Sequence, residues 1–356
     1  MLQPPSSPPQ EHEHDSSSSL ALGLSLVICG CASSALGLAL MKRSSDVEQG
    51  PILPRFWRRW RWWAGFIFLV VNATVIDLIA YGLVPLALIA PFAGLTMFFS
   101  LCLAASGLIH KREALSTRHV LGSVLVVSGV TVASTFGPHA NGDVSSMSEV
   151  LALFGNASFV AFAFVTLLTV GAYLAVLHSS ALRRYRPSPT AHATTIFSAY
   201  SSAVCGALSQ LFMKVVSLAL HEATTTGPGA VIASGGLPAV VVALIGLLST
   251  APLQLYLLNA TLASSPVSYA VPVYQALLVL LTTAAGGLFF GEFARTTLEG
   301  DCAYAGGGVL AIAGLSVLGA AASASEEKKQ KEFNELVEEP SGGGGARGVG
   351  TSGAAA

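Results

Sequence analysis

Charge is scarce in this chain: Asp, Glu, Lys and Arg together make up 10% of its 356 residues. A soluble domain carries about 25%, so this composition excludes a water-solvated fold. Cysteine is sparse as well. The five present (Cys29, Cys31, Cys102, Cys205, Cys302) lie in or beside apolar runs, which excludes a loop-based disulfide framework and a paired zinc motif. They read as small packing residues. No nucleophile with its base, phosphate loop or haem motif is present, so the chain is not read as an enzyme and no cofactor is implied. The polar, acidic start leads into an apolar run long enough to span a membrane, and no cleavable signal pattern precedes it. The net charge of −1 says nothing about partners, because the charges are sorted along the chain.

What is abundant is apolar sequence, at 53% of residues. A helix needs about 20 apolar residues to cross the hydrocarbon core. Nine segments qualify: 20–41, 62–84, 86–109, 119–136, 158–178, 194–219, 238–260, 267–290 and 302–322. Short joints such as Leu83-Val84-Pro85 and Ala263-Ser264-Ser265-Pro266 separate them. The basic residues alternate between the joints. Lys42, Arg43, Arg55, Arg58, Arg59 and Arg61 fall in the first, Lys111, Arg112 and Arg118 in the third, and Arg183, Arg184 and Arg186 in the fifth. Lys328, Lys329, Lys331 and Arg347 follow the last span, so 16 of the 18 basic residues share one side. Such asymmetry marks the cytoplasmic side. It predicts an N-terminus outside or in a lumen and a cytoplasmic C-terminus, in a multi-pass protein of the plasma membrane or an endosomal membrane. The run from Pro54 to Trp63 mixes Arg with Trp and opens a span. It reads as an interfacial anchor in the lipid bilayer, not as a nucleic-acid surface. Glu11-His12-Glu13-His14-Asp15 reads as part of an acidic tail, and Asn156-Ala157-Ser158 is a glycosylation sequon close to the membrane.

The second half repeats the first about 180 positions later. Pro85 and Pro91 recur as Pro266 and Pro272, and Ala104-Ala105-Ser106-Gly107-Leu108 recurs as Ala284-Ala285-Gly286-Gly287-Leu288. Gly122 and Gly129 recur as Gly307 and Gly314, and Met41-Lys42 is echoed by Met213-Lys214. Five crossings separate the copies, so each is inverted relative to its mate. The predicted fold is an all-α integral membrane protein with nine transmembrane helices and an inverted-topology repeat. Its parts are a disordered tail over 1–19 and a transmembrane domain over 20–322. The domain comprises repeat one at 20–136, a linking span at 158–178 and repeat two at 194–322. A cytoplasmic tail over 323–356 follows, charged at first and then Gly/Ala-rich. Inverted repeats of spans are the architecture of many secondary transporters, whose site lies near the midplane between the halves.

The deep polar residues are the candidates for that site. A charge inside a span costs roughly 2.5–3.5 kcal/mol on insertion scales. Asp77 is the only carboxylate deep in a span, with Asn72 before it on the same helix. It serves either packing through a hydrogen bond or a substrate path. Span seven carries Gln254 and Asn259, and span eight carries Tyr274 and Gln275. Pro272 and Pro91 each free a carbonyl, tolerated only where protein or a cavity satisfies it. These groups either join helices or line a polar cavity of Asp77, Asn72, Asn259, Gln254, Tyr274 and Gln275, in which Asp77 and Asn259 are the candidate cation ligands. Lys214 is the only basic residue within a span. It either pairs with Asp77 or snorkels, and the place of Lys42 at the inner end of span one favours snorkelling. Glu113 and Glu292 end the matched spans three and eight, as solvated helix ends or as gates. The glycine faces of spans four and nine suit close helix packing.

The block Gln254-x-x-Leu257-Leu258-Asn259-x-x-Leu262, Pro272-Val273-Tyr274-Gln275, Thr282-Thr283 and Phe290-Gly291-Glu292-Phe293 resembles the NIPA magnesium-transporter family, a branch of the drug/metabolite transporter superfamily. Trp62-Trp63-Ala64-Gly65, Met213-Lys214 and the nine-span layout look like the same family, over roughly residues 20–322. The resemblance implies a drug/metabolite transporter-like fold that moves divalent cations, with Mg2+ as substrate. Where the family carries a Gly-Glu pair and then Asn in span two, this chain has Asn72-Ala73 and an acid, Asp77, displaced by about a turn. Mg2+ dehydrates reluctantly and is held by one or two carboxylates with retained waters, which one Asp with Asn and Gln oxygens can provide. The same groups suit a small polar organic solute. A non-transporting membrane scaffold is a third reading, against which the matched prolines count.

Overall fold

The computed structural model describes residues 11–47, 59–76, 93–109, 115–136, 147–180, 184, 192–233, 235–291 and 297–338. Every regular element among them is helical. The long helices are α1 (Glu11–Val47), α2 (Trp60–Val71), α3 (Ala93–Ser106), α4 (Thr117–Phe136), α6 (Ala157–His178), α7 (His192–Thr226), α9 (Leu237–Ser264), α10 (Val267–Phe289) and α11 (Leu298–Glu338). Two short helices, α5 (Met147–Leu153) and α8 (Pro228–Ala233), sit in the joints. Seven of the described helices are long and apolar enough to cross a membrane, and α2 and the apolar part of α3 are shorter.

Local chemistry sets the boundaries. Asn156 caps α6 by accepting from the Ser158 amide, which satisfies one of the orphan donors of the first turn. Helix α9 opens with proline in its first turn and ends at Ser265, whose extended backbone leads through Pro266 into α10. Proline lacks an amide and fixes φ, so Pro266 suits a helix start. Gly291, at φ 68°, takes the left-handed position just past α10 that glycine fills without a Cβ penalty.

Three boundaries differ from the sequence reading. Helix α1 reaches back to Glu11, within the stretch read as tail. Helix α11 runs without a break through the charged extension to Glu338. The second apolar run is not one α-helix: α2 stops at Val71 and a π-helical turn, Asn72–Ile76, follows. Residues 77–92 and 292–296 lie outside the described residues, and with them Asp77, Pro85, Pro91 and Glu292.

The helices alternate in direction. The end of α1, the end of α3, the start of α7 and the joint of α9 with α10 meet at one end. There Arg43 bonds the Ile109 carbonyl, Lys42 bonds Leu262 and Ser265, and Thr195 bonds Ser265. At the other end Asn156 donates to the Leu288 carbonyl, Phe154 meets Phe289, and Lys214 lies over Phe290. Apolar side chains point outward from α6 and α9, among them Phe164, Leu168, Ile245 and Leu248, as a lipid-facing surface requires.

Glycine brings α4 and α11 together. A Cβ on Gly307 would lie 2.5 Å from the Ala133 nitrogen, and one on Gly314 would lie 2.6 Å from the Val126 nitrogen. Gly122 faces Gly314 and Leu318, and Gly129 faces Gly307 and Ala311. Rising numbers on one helix meet falling numbers on the other, so the two run antiparallel at backbone contact. Gly37 of α1 and Gly65 of α2 make a similar contact. Small residues allow this approach where no hydrophobic force drives helices together in lipid.

Candidate functional site

Asn72 opens the π-helical turn and is buried. Its amide nitrogen donates to Ser34 Oγ of α1 at 2.8 Å. Its oxygen, Oδ1, has no hydrogen-bond partner among the described residues. It lies against Gly30 of α1, where a Cβ would collide with it. π-turns inside α-helices occur often at functional sites, and an unmatched amide oxygen in a span is available to a cation.

A second carboxamide lies beside α7. Gln254 of α9 donates from Nε2 to the Tyr274 hydroxyl of α10 at 2.8 Å. Gly206 of α7 faces that amide, and a Cβ there would lie 2.9 Å from Nε2. Tyr274 is buried and Gln275, the next residue, is half-buried. Ser34 precedes Lys42 by eight positions, as Gln254 precedes Leu262. At 1.5 Å rise per residue both carboxamides therefore sit about 12 Å from the Lys42 end, against a half-thickness of about 15 Å for the hydrocarbon core.

Around Gln254 runs a seam of hydroxyls that the sequence reading did not single out. Thr195, Ser198, Ser202 and Ser209 recur at helical spacing on one buried face of α7. Thr195 meets Ser264 and Ser265 at 2.9 and 2.6 Å. Ser198 accepts from Thr261 at 3.1 Å, Ser202 donates to the Gln254 carbonyl at 2.9 Å, and Ser209 meets Thr250 at 2.8 Å. The intervals of three, four and seven were the available signal.

The other expected site residues are dispersed. Asn259 is buried one turn and a half beyond Gln254, where its Oδ1 accepts from Ser45 Oγ of α1 at 3.3 Å. It thus lies toward the Lys42 end rather than beside Asn72. Lys214 is at the opposite end, with Nζ 4.5 Å from the centre of the Phe290 ring, a cation–π contact. Lys42 does not reach out to headgroups: it is buried, and its ammonium bonds backbone carbonyls of α9 and its joint. Asn156 is committed to its cap and to the Leu288 carbonyl, so the sequon's acceptor nitrogen is engaged. Among the described residues no group of three or more His, Cys, Asp or Glu forms a metal cage. The interior oxygens there are amide, hydroxyl and carbonyl, the hard ligands that suit Mg2+ or Ca2+.

Residues 15–323 match the family model for the magnesium transporter NIPA. The chain belongs to the NIPA family. It is also similar to a protein described as a probable magnesium transporter NIPA2 from Arabidopsis thaliana, 34% identical over 109 residues. That match covers 31% of this chain and 31% of the relative's own length. No solved structure matches the chain. NIPA membership and the apolar helices make this a multi-pass membrane protein of a transporter family, which accords with the absence of enzyme motifs in its sequence.

Proposed function

We infer that the protein moves Mg2+ across the plasma membrane or an endosomal membrane by alternating access. Its path runs between two inverted halves, in a nine-span bundle with the N-terminus outside or lumenal and the C-terminus in the cytosol. Family membership supports the substrate, and the charge asymmetry supports the orientation. Support for the inverted repeat comes from α4 and α11, which occupy matched places in the two halves and pack antiparallel. Gly122 matches Gly307 and Gly129 matches Gly314 in sequence. Exchanging the halves turns the Gly122–Gly314 contact into the Gly307–Gly129 contact, as a two-fold axis requires.

The observation that carries the reading is the buried oxygen of Asn72, which has no hydrogen-bond partner among the described residues. In this reading Asn72 and Asp77 supply the first oxygens to a partly hydrated Mg2+, and Gln254, Tyr274 and Gln275 form the opposite wall. Asn259 lies farther along the path toward the Lys42 end. Lys214, at the opposite end over Phe290, either meets Asp77 or snorkels, and Glu292 serves as a gate or a solvated helix end.

The test is purified protein in liposomes loaded with a magnesium-sensitive dye, run against Mg2+, Ca2+, Mn2+ and a proton gradient. Asp77→Asn is expected to abolish Mg2+ entry while leaving the protein folded. Asn72→Ala removes one oxygen worth about 1–3 kcal/mol and is expected to lower entry roughly ten- to hundredfold. Full flux in Asp77→Asn removes Asp77 from the mechanism. If Asp77→Asn instead destabilises the protein and Lys214→Met partly restores it, the carboxylate serves a pair with Lys214.

A further inference from the structure

Lys42 is an ammonium held inside the protein at the place where the two halves meet. Its side chain is 10% exposed, although it stands near the end of α1. Nζ donates to the Leu262 carbonyl at 2.7 Å and to the Ser265 carbonyl at 3.1 Å, and lies 3.2 Å from Asp46 Oδ1. Leu262 and Ser265 belong to the last turn of α9 and its C-cap, where carbonyls lack helical partners and the helix dipole is negative. The ammonium therefore pins α1, in the first half, to the α9–α10 joint, in the second. One turn away Ser45 and Asn259 add a hydroxyl–amide contact across the same seam. Met41, Thr261 and Leu262 around it are fully buried.

A lysine confined among oxygens is a tethered monovalent cation, and its three partners are hard ligands of the kind a divalent cation takes. Two are backbone carbonyls facing inward. The third, Asp46, is 44% exposed and within reach of solvent. We propose that Lys42 is a latch closing this end of the path, which a divalent cation opens by capturing Asp46. The capture takes the ammonium's counter-charge away, and a buried ammonium without it is costly. The long stem of Lys42 then carries the charge outward to water, and α1 separates from α9. This rests on the transport reading above only for the identity of the cation. The latch itself rests on the three oxygen contacts.

The experiment uses the full chain in nanodiscs, with its five cysteines replaced and spin labels placed at Val47→Cys and Ala263→Cys, two exposed positions flanking the latch. Distances are measured without divalent cation and with saturating Mg2+. Without cation the parent chain is expected to give a single short distance, and Mg2+ is expected to move most of the population to a longer one. Lys42→Met should show the longer distance without Mg2+, and Lys42→Arg should keep the short one. Asp46→Asn should show the longer distance already without Mg2+ and no further change with it, because the ammonium has lost its counter-charge and the cation its foothold. A short cation-free distance in Lys42→Met or in Asp46→Asn, or an Mg2+ response in Asp46→Asn equal to that of the parent, overturns the latch. Asp46 is half-exposed, so Asp46→Asn decides the matter even where Lys42→Met does not fold. Liposome flux separates the two readings. Opening in Lys42→Met without any flux in the parent defeats transport and upholds the latch; flux in the parent with a closed Lys42→Met does the reverse.

Discussion

Replacing Gly307 by alanine adds a single methyl group at a backbone contact between α4 and α11, and its effect can be worked from the structure. The new Cβ would lie 2.5 Å from the Ala133 nitrogen, 2.7 Å from the Gly129 oxygen and 3.0 Å from the Ala133 Cα. Ordinary contact between such atoms is about 3.5–4.0 Å, so α4 and α11 must separate by roughly 1 Å. All three obstructing atoms are backbone, and no rotamer change relieves them. Overpacking of this kind costs about 1–3 kcal/mol. Gly306, the preceding residue on the same helix, has nothing within 4 Å of its Cβ position. There alanine brings only the helix-propensity gain over glycine, up to about 1 kcal/mol. The propensity gain is common to both positions, so the two adjacent substitutions differ by the overpacking, about 1–3 kcal/mol. Detergent titration of the unfolding equilibrium, followed by circular dichroism, measures both. Gly129→Ala, on the facing helix, should cost about as much as Gly307→Ala. The double substitution should cost less than the sum, since one separation of the helices accommodates both methyls. Equal effects at Gly306 and Gly307 would refute the backbone-contact register of α4 on α11.

Tags at the two termini should be labelled from opposite sides of intact vesicles; labelling on one side refutes the nine-span topology. Asn156→Ala removes both the α6 cap and the bond to the Leu288 carbonyl, and should lower stability by about 0.5–2 kcal/mol in a thermal melt. The engaged nitrogen of Asn156 also predicts no mobility change on glycosidase treatment. Tyr274→Phe deletes the acceptor of the Gln254 amide and should cost about 1–3 kcal/mol. It should lower Mg2+ flux less than Asn72→Ala does.

The long apolar runs made most helices legible. The spans read as 119–136, 158–178 and 267–290 correspond closely to Thr117–Phe136, Ala157–His178 and Val267–Phe289, because length and proline placement decide such segments locally. The glycine faces of α4 and α11 were legible for a similar reason: their seven-residue spacing is a property of one helix at a time. The π-turn at Asn72 was not, since Asn-Ala-Thr-Val-Ile carries no mark that separates it from an α-turn. Lys42 shows the deeper difficulty. A basic residue at the end of an apolar run looks like a snorkelling anchor, and Lys214 gives the same signal. What distinguishes them is the partner: the end of a helix about 220 positions away for Lys42, and an aromatic ring for Lys214. No pattern within either run contains that information. The hydroxyl seam on α7 is intermediate, visible as spacing but meaningless until Thr250, Thr261 and Ser265 are placed opposite it.

A glycine of a neighbouring helix lies against each of the two carboxamides, Gly30 of α1 against Asn72 and Gly206 of α7 against Gln254. Their bonding differs. Gln254 has the Tyr274 hydroxyl beside it. Asn72 keeps its donor bond to Ser34, and its Oδ1 has no partner among the described residues. Ser100 and Ser134 also have unmatched hydroxyl oxygens, but a serine in a helix can turn to the carbonyl one turn back. An amide oxygen has no such recourse, because it needs a donor or a cation. Leaving it bare in a span costs about 1–3 kcal/mol. The same interior satisfies Thr195, Ser198, Ser202 and Ser209, so the exception is local to the first half. Among the described residues Asn72 Oδ1 is the buried amide oxygen left without a donor, so the proposed transport reading expects the cation on the Asn72 side.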